Sequence, residues 1–147
     1  MKKNKDITVA IISSSFRKEV SRALEKRCVA TLVRRGVPKA NIALFEVPGA
    51  LEIPLVAKKL AEKEKYDAII VFGAIVKGET YHFEQIANEC ARGCMDVSLE
   101  YSIPIIFEVL AVYAIKDALL RATRRKENKG VEAAESALSM AHVLSSL

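Results

Sequence analysis

The segment DAIIVFGAIV, residues 67–76, carries no polar side chain after its first residue. A short, continuous apolar run of this kind is typical of a strand that is buried on both faces of a parallel sheet. Three other runs have the same character: ITVAII (7–12), ANIALFEV (40–47) and IPIIFEVLAV (103–112). The sequence therefore predicts four buried parallel strands.

Segments with apolar residues at helical spacing separate these runs. They cover residues 19–36, 50–65, 82–101, 115–125 and 130–147, and the first of them stops at Gly36, a residue typical of helix C-termini. Alternation of strand and helix implies right-handed crossovers. We therefore expect an α/β fold: a single three-layer α/β/α sandwich with a four-stranded parallel sheet, flavodoxin-like in architecture.

Length and composition favour one domain that spans residues 1–147, with residues 1–6 as a disordered basic tail. The chain has 147 residues, of which 51% are hydrophobic, enough for a core without metals or disulfides. The net charge of +5 is spread along the chain among acidic residues, so we expect neither nucleic-acid nor membrane binding. No apolar run approaches the ~20 residues of a membrane span.

The three cysteines, Cys28, Cys90 and Cys94, lie in segments predicted to be helical. Cys90 and Cys94 share a helix face, but no histidine or third cysteine completes a zinc set. We interpret them as reduced core thiols of a cytoplasmic protein, and we expect no metal. The apolar run after the basic N-terminus is too short for a signal peptide.

Polar or glycine-containing stretches follow the predicted strands. They are SSSFRK (13–18), VPGALE (47–52), KGETYHFE (77–84) and residues 108–113. Open parallel sheets bind ligands beyond the carboxyl ends of their strands, so these loops should meet at one ligand-binding edge.

KGETYHFE has the residues of an anion site. Gly78 permits a tight turn, Thr80 offers a hydroxyl and an amide, and the following helix directs its N-terminus at the same place. His82 would lie one turn into this helix and could move protons near neutral pH. The alternative is a helix start that Thr80 caps, with His82 as an ordinary surface residue.

The other loops have both functional and structural interpretations. Phe16 could stack on a planar ring or serve as a hydrophobic staple. Glu52 could bind a ligand or compensate the dipole of its helix. The segment RATRRKENKG (121–130) concentrates basic residues of which Arg is suited to bidentate phosphate binding, although most will be solvated.

Four blocks in this order, SSSF (13–16), VPGALEIP (47–54), GAIVKGETYHFE (73–84) and NKGVEAAESALSMA (128–141), closely resemble the lumazine synthases. The resemblance extends from Ile7 to Leu144. It implies condensation of a ribitylaminopyrimidinedione with a dihydroxybutanone phosphate in riboflavin biosynthesis, with loss of phosphate and water. It implies no metal or organic cofactor.

The resemblance also implies roles for individual residues. His82 would assist proton transfer, Phe16 would stack on the pyrimidine ring, and Glu52 would hold the ribityl hydroxyls. The phosphate turn would be Gly78, Glu79 and Thr80, with Arg121 as cationic partner. Phe107 of a neighbouring subunit would close the ring site, and Lys129 with Glu132 would lie near its polar edge. Further substrate contacts are implied at Ala50, Leu51, Ala74, Ile75 and Val76.

Because family sites lie between subunits, the resemblance implies a homopentamer and, in some members, an icosahedral 60-mer. The chain departs from the family pattern at Arg17, Leu51, Glu108 and Ala111. Two alternatives therefore remain: an assembly-competent scaffold with weak or lost catalysis, and a related archaeal-type riboflavin synthase, against which the KGETYHF block argues. We also hypothesise that Arg17 and Glu108 pair across the subunit boundary, since a carboxylate in an apolar run needs a partner.

Overall fold

The computed structural model describes residues 1–147 and alternates strands with helices, as the sequence predicts. Its α-helices and strands are β1 (Val9–Ser14), α1 (Lys18–Arg34), β2 (Ile42–Val47), α2 (Ile53–Ala61), β3 (Ala68–Val76), α3 (His82–Tyr101), β4 (Ile105–Val112), α4 (Ile115–Thr123) and α5 (Lys129–Ser145). Short 3-10 helices lie at Asn4–Asp6, Lys39–Asn41 and Ala50–Glu52.

The four strands form one parallel sheet in the order β2-β1-β3-β4. Strands β1 and β3 occupy its centre, and every residue of β1 is buried. Side chains alternate between the two faces of a strand, so a strand covered on both faces is mainly apolar. The predicted flavodoxin-like α/β sandwich is confirmed.

Each face of the sheet has its own hydrophobic core. Ile11 and Phe72 lie on the face that α1, α4 and α5 cover, and Ile12 and Val71 lie on the face that α2 and α3 cover. The helices thus form the two outer layers. All carboxyl ends of the strands emerge at one edge between these layers.

Some boundaries differ from the predicted ones, for local reasons. Strand β1 was predicted over 7–12 but includes the buried Ser13 and Ser14. Their polar groups have partners in α1 and the following loop. Ser13 Oγ donates to Glu25 at 2.7 Å, Ser21 Oγ donates to the Ser14 carbonyl at 2.6 Å, and Ser14 Oγ donates to the Phe16 carbonyl at 3.2 Å.

Helix α2 is shorter than the predicted 50–65. A 3-10 turn precedes it, and the chain leaves the helix before Glu64, which adopts a left-handed conformation with φ of 51°. The α1 terminus agrees with the prediction: Gly36 has φ of 97°, and the Val37 N–H donates to the Leu32 carbonyl at 3.0 Å.

The N-terminal residues contact the sandwich in the structure. Asn4 donates to the Arg35 carbonyl at 2.7 Å and forms a second hydrogen bond with His142 Nε2, also at 2.7 Å. Lys2 pairs with Asp67 at 2.9 Å. The disorder of residues 1–6 stays a prediction.

All three cysteines are buried and carry no disulfide. Burial raises the pKa of Cys28, and a hydrogen bond with Cys90, together with burial, raises the pKa of Cys94. These shifts keep both thiols protonated near neutral pH, which suits core residues. No group of three or more metal-ligating side chains comes together, and no helix has the length and apolar character needed to cross a bilayer.

Asn128 fixes the start of α5. Its side-chain oxygen accepts hydrogen bonds from the N–H groups of Gly130 at 2.9 Å and Val131 at 3.2 Å. Its amide donates to the carbonyls of Ala122 and Arg124. This buried asparagine therefore caps α5 and joins it to the end of α4.

Strand β4 carries one charged residue, Glu108. By alternation it shares the sheet face of Ile106 and Leu110, which α4 and α5 cover. Burial raises the pKa of Glu108 to about 7, Lys129 opposes this rise, and Glu132 adds to it. Half-buried and beside one cation and one anion, this carboxyl is only partly compensated.

We predict that Glu108 makes the protein less stable as the pH rises. A carboxyl whose pKa is raised by folding stabilises the protein below its unfolded pKa, and this stabilisation is lost as the pH rises through about 7. Between pH 5 and pH 8 the wild type should lose about 1 kcal/mol more than Glu108→Gln, a figure reduced for solvent screening.

Urea unfolding at fixed protein concentration, from pH 5 to pH 8, measures this difference. Glu19 is exposed and forms no ion pair, so Glu19→Gln is the matched control and should keep the wild-type pH dependence. Equal pH dependence in the wild type and Glu108→Gln would show that ionisation of the Glu108 carboxyl does not lower the free energy of unfolding.

Candidate active site

A cavity of about 520 Å³ lies beyond the carboxyl ends of β1, β2 and β3. Its lining includes ten of the residues predicted to form the site: Phe16, Ala50, Leu51, Glu52, Ala74, Ile75, Val76, Gly78, Thr80 and His82. The loops after three separate strands therefore meet in one concave surface, as the parallel sheet requires.

The loop after β1 forms the first wall. The N–H of Ser15 donates to the Val47 carbonyl at 2.8 Å and that of Phe16 donates to the Pro48 carbonyl at 3.0 Å, which ties this loop to the one after β2. The Phe16 side chain is 64% exposed, with the Arg17 guanidinium 5.4 Å from its ring centroid. An exposed ring on a fixed loop is available for stacking.

The loop after β2 forms the second wall. Residues Ala50–Glu52 make a 3-10 turn, and Glu52 occupies the N-cap position of α2 without a side-chain capping bond. Pro54 lies in the first turn of α2, where its missing N–H is tolerated. The Glu52 carboxylate is exposed and lines the cavity, so it can accept hydrogen bonds from a ligand.

Strand β3 and the start of α3 form the third wall. Tyr81 is the N-cap residue and makes no side-chain capping bond, so the alternative in which Thr80 caps the helix is wrong. His82 is the first residue of α3, not one turn inside it, and it is exposed. The N–H groups at this terminus lack side-chain acceptors and are suited to an anion.

Five predicted site residues lie outside the lining: Glu79, Phe107, Arg121, Lys129 and Glu132. Apart from Glu79, they belong to β4, α4 and α5. Phe107 lies on an edge strand with 36% exposure, on the sheet face opposite to Glu108. Arg121 donates to the Asp117 carbonyl at 3.0 Å, within its own helix.

Lys129 and Glu132 form a second small group with Glu108. The Lys129 ammonium lies 2.7 Å from the Glu132 carboxylate, and this hydrogen bond raises the pKa of Lys129. Lys129 also stabilises the ionised form of Glu108. Glu108 therefore has a cation in its own chain, and its pairing with Arg17 of a neighbour stays a prediction.

The sequence did not assign several lining residues: Ser14, Arg17, Pro48, Gly49, Phe83 and Ile86. Phe83 and Ile86 are three residues apart on α3, and helical spacing from the KGETYHFE loop could have placed both on the cavity side. Arg17 was noted as a departure from the family pattern and as a possible partner of Glu108 across the subunit boundary, not as a substrate-binding residue.

The cavity walls and the separate group on β4, α4 and α5 all lie within the part of the chain that matches one known family. The family model for 6,7-dimethyl-8-ribityllumazine synthase matches residues 6–145. This match includes every loop at the carboxyl edge of the sheet. The family comprises transferases that act as lumazine synthases in riboflavin biosynthesis. The chain belongs to the 6,7-dimethyl-8-ribityllumazine synthase family.

Proposed function

We propose that the chain is an active lumazine synthase. It condenses 5-amino-6-(D-ribitylamino)uracil with 3,4-dihydroxy-2-butanone 4-phosphate to 6,7-dimethyl-8-ribityllumazine, phosphate and water. The observation that carries this proposal is the convergence of Phe16, Glu52, the Gly78–Thr80 turn and His82 on one cavity. These features suit a planar ring, a polyol, a phosphate and a proton transfer, respectively.

In this proposal the ring substrate lies against Phe16. Its ring stacks on the exposed phenyl group, and Ala74, Ile75 and Val76 form an apolar wall. The Glu52 carboxylate accepts hydrogen bonds from the ribityl hydroxyls. Ala50 and Leu51 cover the side of the cavity between the polyol and the ring.

The phosphate of the second substrate binds at the Gly78–Thr80 turn. The N–H groups at the start of α3 donate to its oxygens, and the N-terminal end of the helix dipole favours its charge. Glu79 contributes backbone to this turn. Arg121 supplies the bidentate cationic contact that a phosphate favours.

The chemistry then depends mainly on orientation. An amine attacks a ketone without a strong base, so holding the two substrates together supplies much of the acceleration. His82, exposed at the first position of α3, moves protons between the reacting nitrogen and oxygen atoms. The phosphate group, held at the Gly78–Thr80 turn, is eliminated, and the second ring closes.

Phe107, Arg121, Lys129 and Glu132 reach the substrates from a neighbouring subunit. This assignment is supported by their separation from the cavity of their own chain. The active species is then a homopentamer, or a 60-mer built from pentamers, in the cytoplasm. Phe107 closes the ring site, and Lys129 with Glu132 lies at its polar edge.

The second candidate function is an assembling scaffold with weak or lost catalysis. Arg17, which lines the cavity where the family pattern usually has Asn, favours this candidate. Mixing the two substrates and following lumazine absorbance and fluorescence separates the two functions. Sustained product formation supports the enzyme, and its absence at saturating substrate supports the scaffold.

We predict that Arg121→Ala weakens binding of the butanone phosphate. A charge-assisted contact to phosphate contributes about 1.5–3 kcal/mol, so KM for this substrate should rise roughly ten- to a hundredfold. Steady-state kinetics with each substrate varied in turn measures the effect. Exposed Arg125 is the matched control, and Arg125→Ala should keep the wild-type KM. An unchanged KM in Arg121→Ala would contradict the phosphate contact.

We predict that His82→Ala lowers kcat by about a hundredfold, the lower range of general acid–base catalysis. Because the imidazole only assists proton transfer, substrate KM values should change little. The other histidine, His142, lies in α5 and does not line the cavity. His142→Gln should therefore keep the wild-type kcat. Wild-type turnover in His82→Ala across pH 6–8 would rule out the proton-transfer role.

We predict that the two impaired variants complement each other in mixed pentamers, assayed with butanone phosphate below its wild-type KM. If His82 and Arg121 of one site come from different chains, co-assembly of His82→Ala with Arg121→Ala creates some sites with both residues intact. At equal amounts, roughly a quarter of the wild-type activity should return in a shared-site ring. Native mass measurement confirms the mixed species. No recovery in verified mixed pentamers would contradict the shared site.

A further inference from the structure

A second cavity, which we call the amino-edge cavity, lies at the end of the sheet opposite to the candidate active site. The ends of α2, α3 and α5 and the residues just before β3 and β4 enclose it. Its volume is about 320 Å³, at the lower end of the range for small-ligand sites. The cavity is therefore large enough for a small organic molecule.

The amino-edge cavity is lined by residues of both hydrophobic cores. Ala61 and Ile103 belong to the core under α2 and α3, Ala141 belongs to the core under α5, and all three are buried. Tyr66 and Tyr101 are half-buried and add aromatic surface to the lining. Such a lining suits the apolar or aromatic body of a ligand.

The charged residues of the lining, Glu64 and Asp67, are both acidic. Asp67 is held in place because its Oδ2 atom accepts hydrogen bonds from the Thr8 N–H at 2.8 Å and the Thr8 hydroxyl at 3.1 Å. The Lys2 ammonium lies 2.9 Å from each of the two Asp67 carboxylate oxygens. This fixed carboxylate therefore already binds a primary ammonium group at the cavity.

The contact between Lys2 and Asp67 is one that a ligand can replace. The two side chains are 39% and 23% exposed, and an ion pair between partly exposed groups contributes little to stability. The backbone N–H of Lys2 also donates to Ser145 Oγ, at 2.9 Å, on the lining of the same cavity. Lys2 thus lies where the charged group of a ligand would bind, and it competes with that group.

The amino-edge cavity is distant from the residues proposed to be shared between subunits. Helix α5 begins at Lys129, near the carboxyl edge, and its end at Ser145 lies about 24 Å away at 1.5 Å per residue. The two cavities have no lining residue in common. Binding at the amino edge therefore needs no residue of the candidate active site.

We propose that the amino-edge cavity binds a small organic ammonium, whose charged group replaces Lys2 at Asp67. The ligand is a primary alkylamine or arylalkylamine, and its apolar or aromatic body lies between the two tyrosines and the buried floor. Glu64 adds a second negative charge, which favours a cation over a neutral molecule. This site is additional to the proposed lumazine synthase function and does not depend on it.

The compounds 2-phenylethylamine and 2-phenylethanol provide a matched pair of probes. They have the same aromatic body, and only the amine is charged at neutral pH. Titration of the assembled wild-type protein, followed by saturation-transfer NMR, gives a Kd for each. The amine should bind about threefold more tightly, because its contact with Asp67 is partly offset by loss of the Lys2 pair. Hexylamine and hexanol repeat the comparison with an alkyl body.

Substitution of Lys2 tests the competition. Lys2→Met removes the competing ammonium and keeps a long unbranched side chain. The Kd of the amine should fall by about a further three- to fivefold, and the Kd of the alcohol should change by less than about twofold. Lys3 is exposed and forms no ion pair, so Lys3→Met removes the same charge and should keep the wild-type values.

Two carboxylate variants locate the site. Asp67→Asn keeps an acceptor for Thr8 but loses the charge, so the amine and the alcohol should bind equally. Glu52→Gln removes a carboxylate from the candidate active site and should keep the wild-type ratio of the two Kd values.

Equal Kd values for the amine in Lys2→Met and Lys3→Met would overturn the proposal, since Lys2 and the ligand would then not compete for Asp67. A preference that disappears in Glu52→Gln and survives in Asp67→Asn would place the amine in the other cavity and also overturn it. If neither amine binds, Lys2 serves only to hold the N-terminal residues on the sandwich. Lumazine formation without amine binding would leave the proposed function standing and remove only this site.

Discussion

The parallel pairing of β1 with β3 is the constraint on which the cavity depends. The two strands are paired as far as Ser13 and Phe72, and β1 ends one residue later, whereas β3 continues to Val76. The last residues of β3, Ala74 to Val76, therefore extend beyond β1 and form the back wall of the cavity. Gly73 lies where the strands separate, and a Cβ atom there would approach Ser14 Oγ to 2.8 Å. A larger residue would therefore require the buried Ser14 side chain to move.

Different parts of the edge are held with different rigidity, and this suits the proposed roles. The loop that carries Phe16 is bonded to Val47 and Pro48, so the stacking surface is fixed before a ligand arrives. Preorganisation of this kind lowers the entropy lost on binding. The start of α3 has no side-chain cap, and its N–H groups are available for an anion. The proposed ring site is thus held by backbone hydrogen bonds, and the proposed phosphate site consists mainly of unused backbone donors.

The sequence predicted the position of all four strands, and the burial of β1 and β3 is confirmed, because a central parallel strand is apolar on both faces. The predicted burial of β2 and β4 is wrong, since both are edge strands with partly exposed residues. The sequence also predicted that the loops with Phe16, Glu52 and His82 would meet, since parallel strands end at one edge. It did not predict the order β2-β1-β3-β4, which is decided by packing between distant segments. The left-handed conformation of Arg17 and the group formed by Glu108, Lys129 and Glu132 also depend on tertiary contacts. The spacing of residues within a local segment does not indicate such tertiary contacts.

The charged residues that the sequence analysis did not place lie in groups in which opposite charges are close together. Glu108 lies on the sheet face that α4 and α5 cover, and Lys129 of the same chain stabilises its ionised form. Lys129 is itself held by Glu132 at 2.7 Å, so these three groups share their charges within one chain. Burial still raises the pKa of Glu108 to about 7, so Lys129 compensates this carboxylate only in part. The pairing of Glu108 with Arg17 of a neighbouring subunit stays a prediction. On the other side of the sheet edge, Lys18 and Arg22 of α1 both pair with Glu46, so these charges too are compensated within one chain.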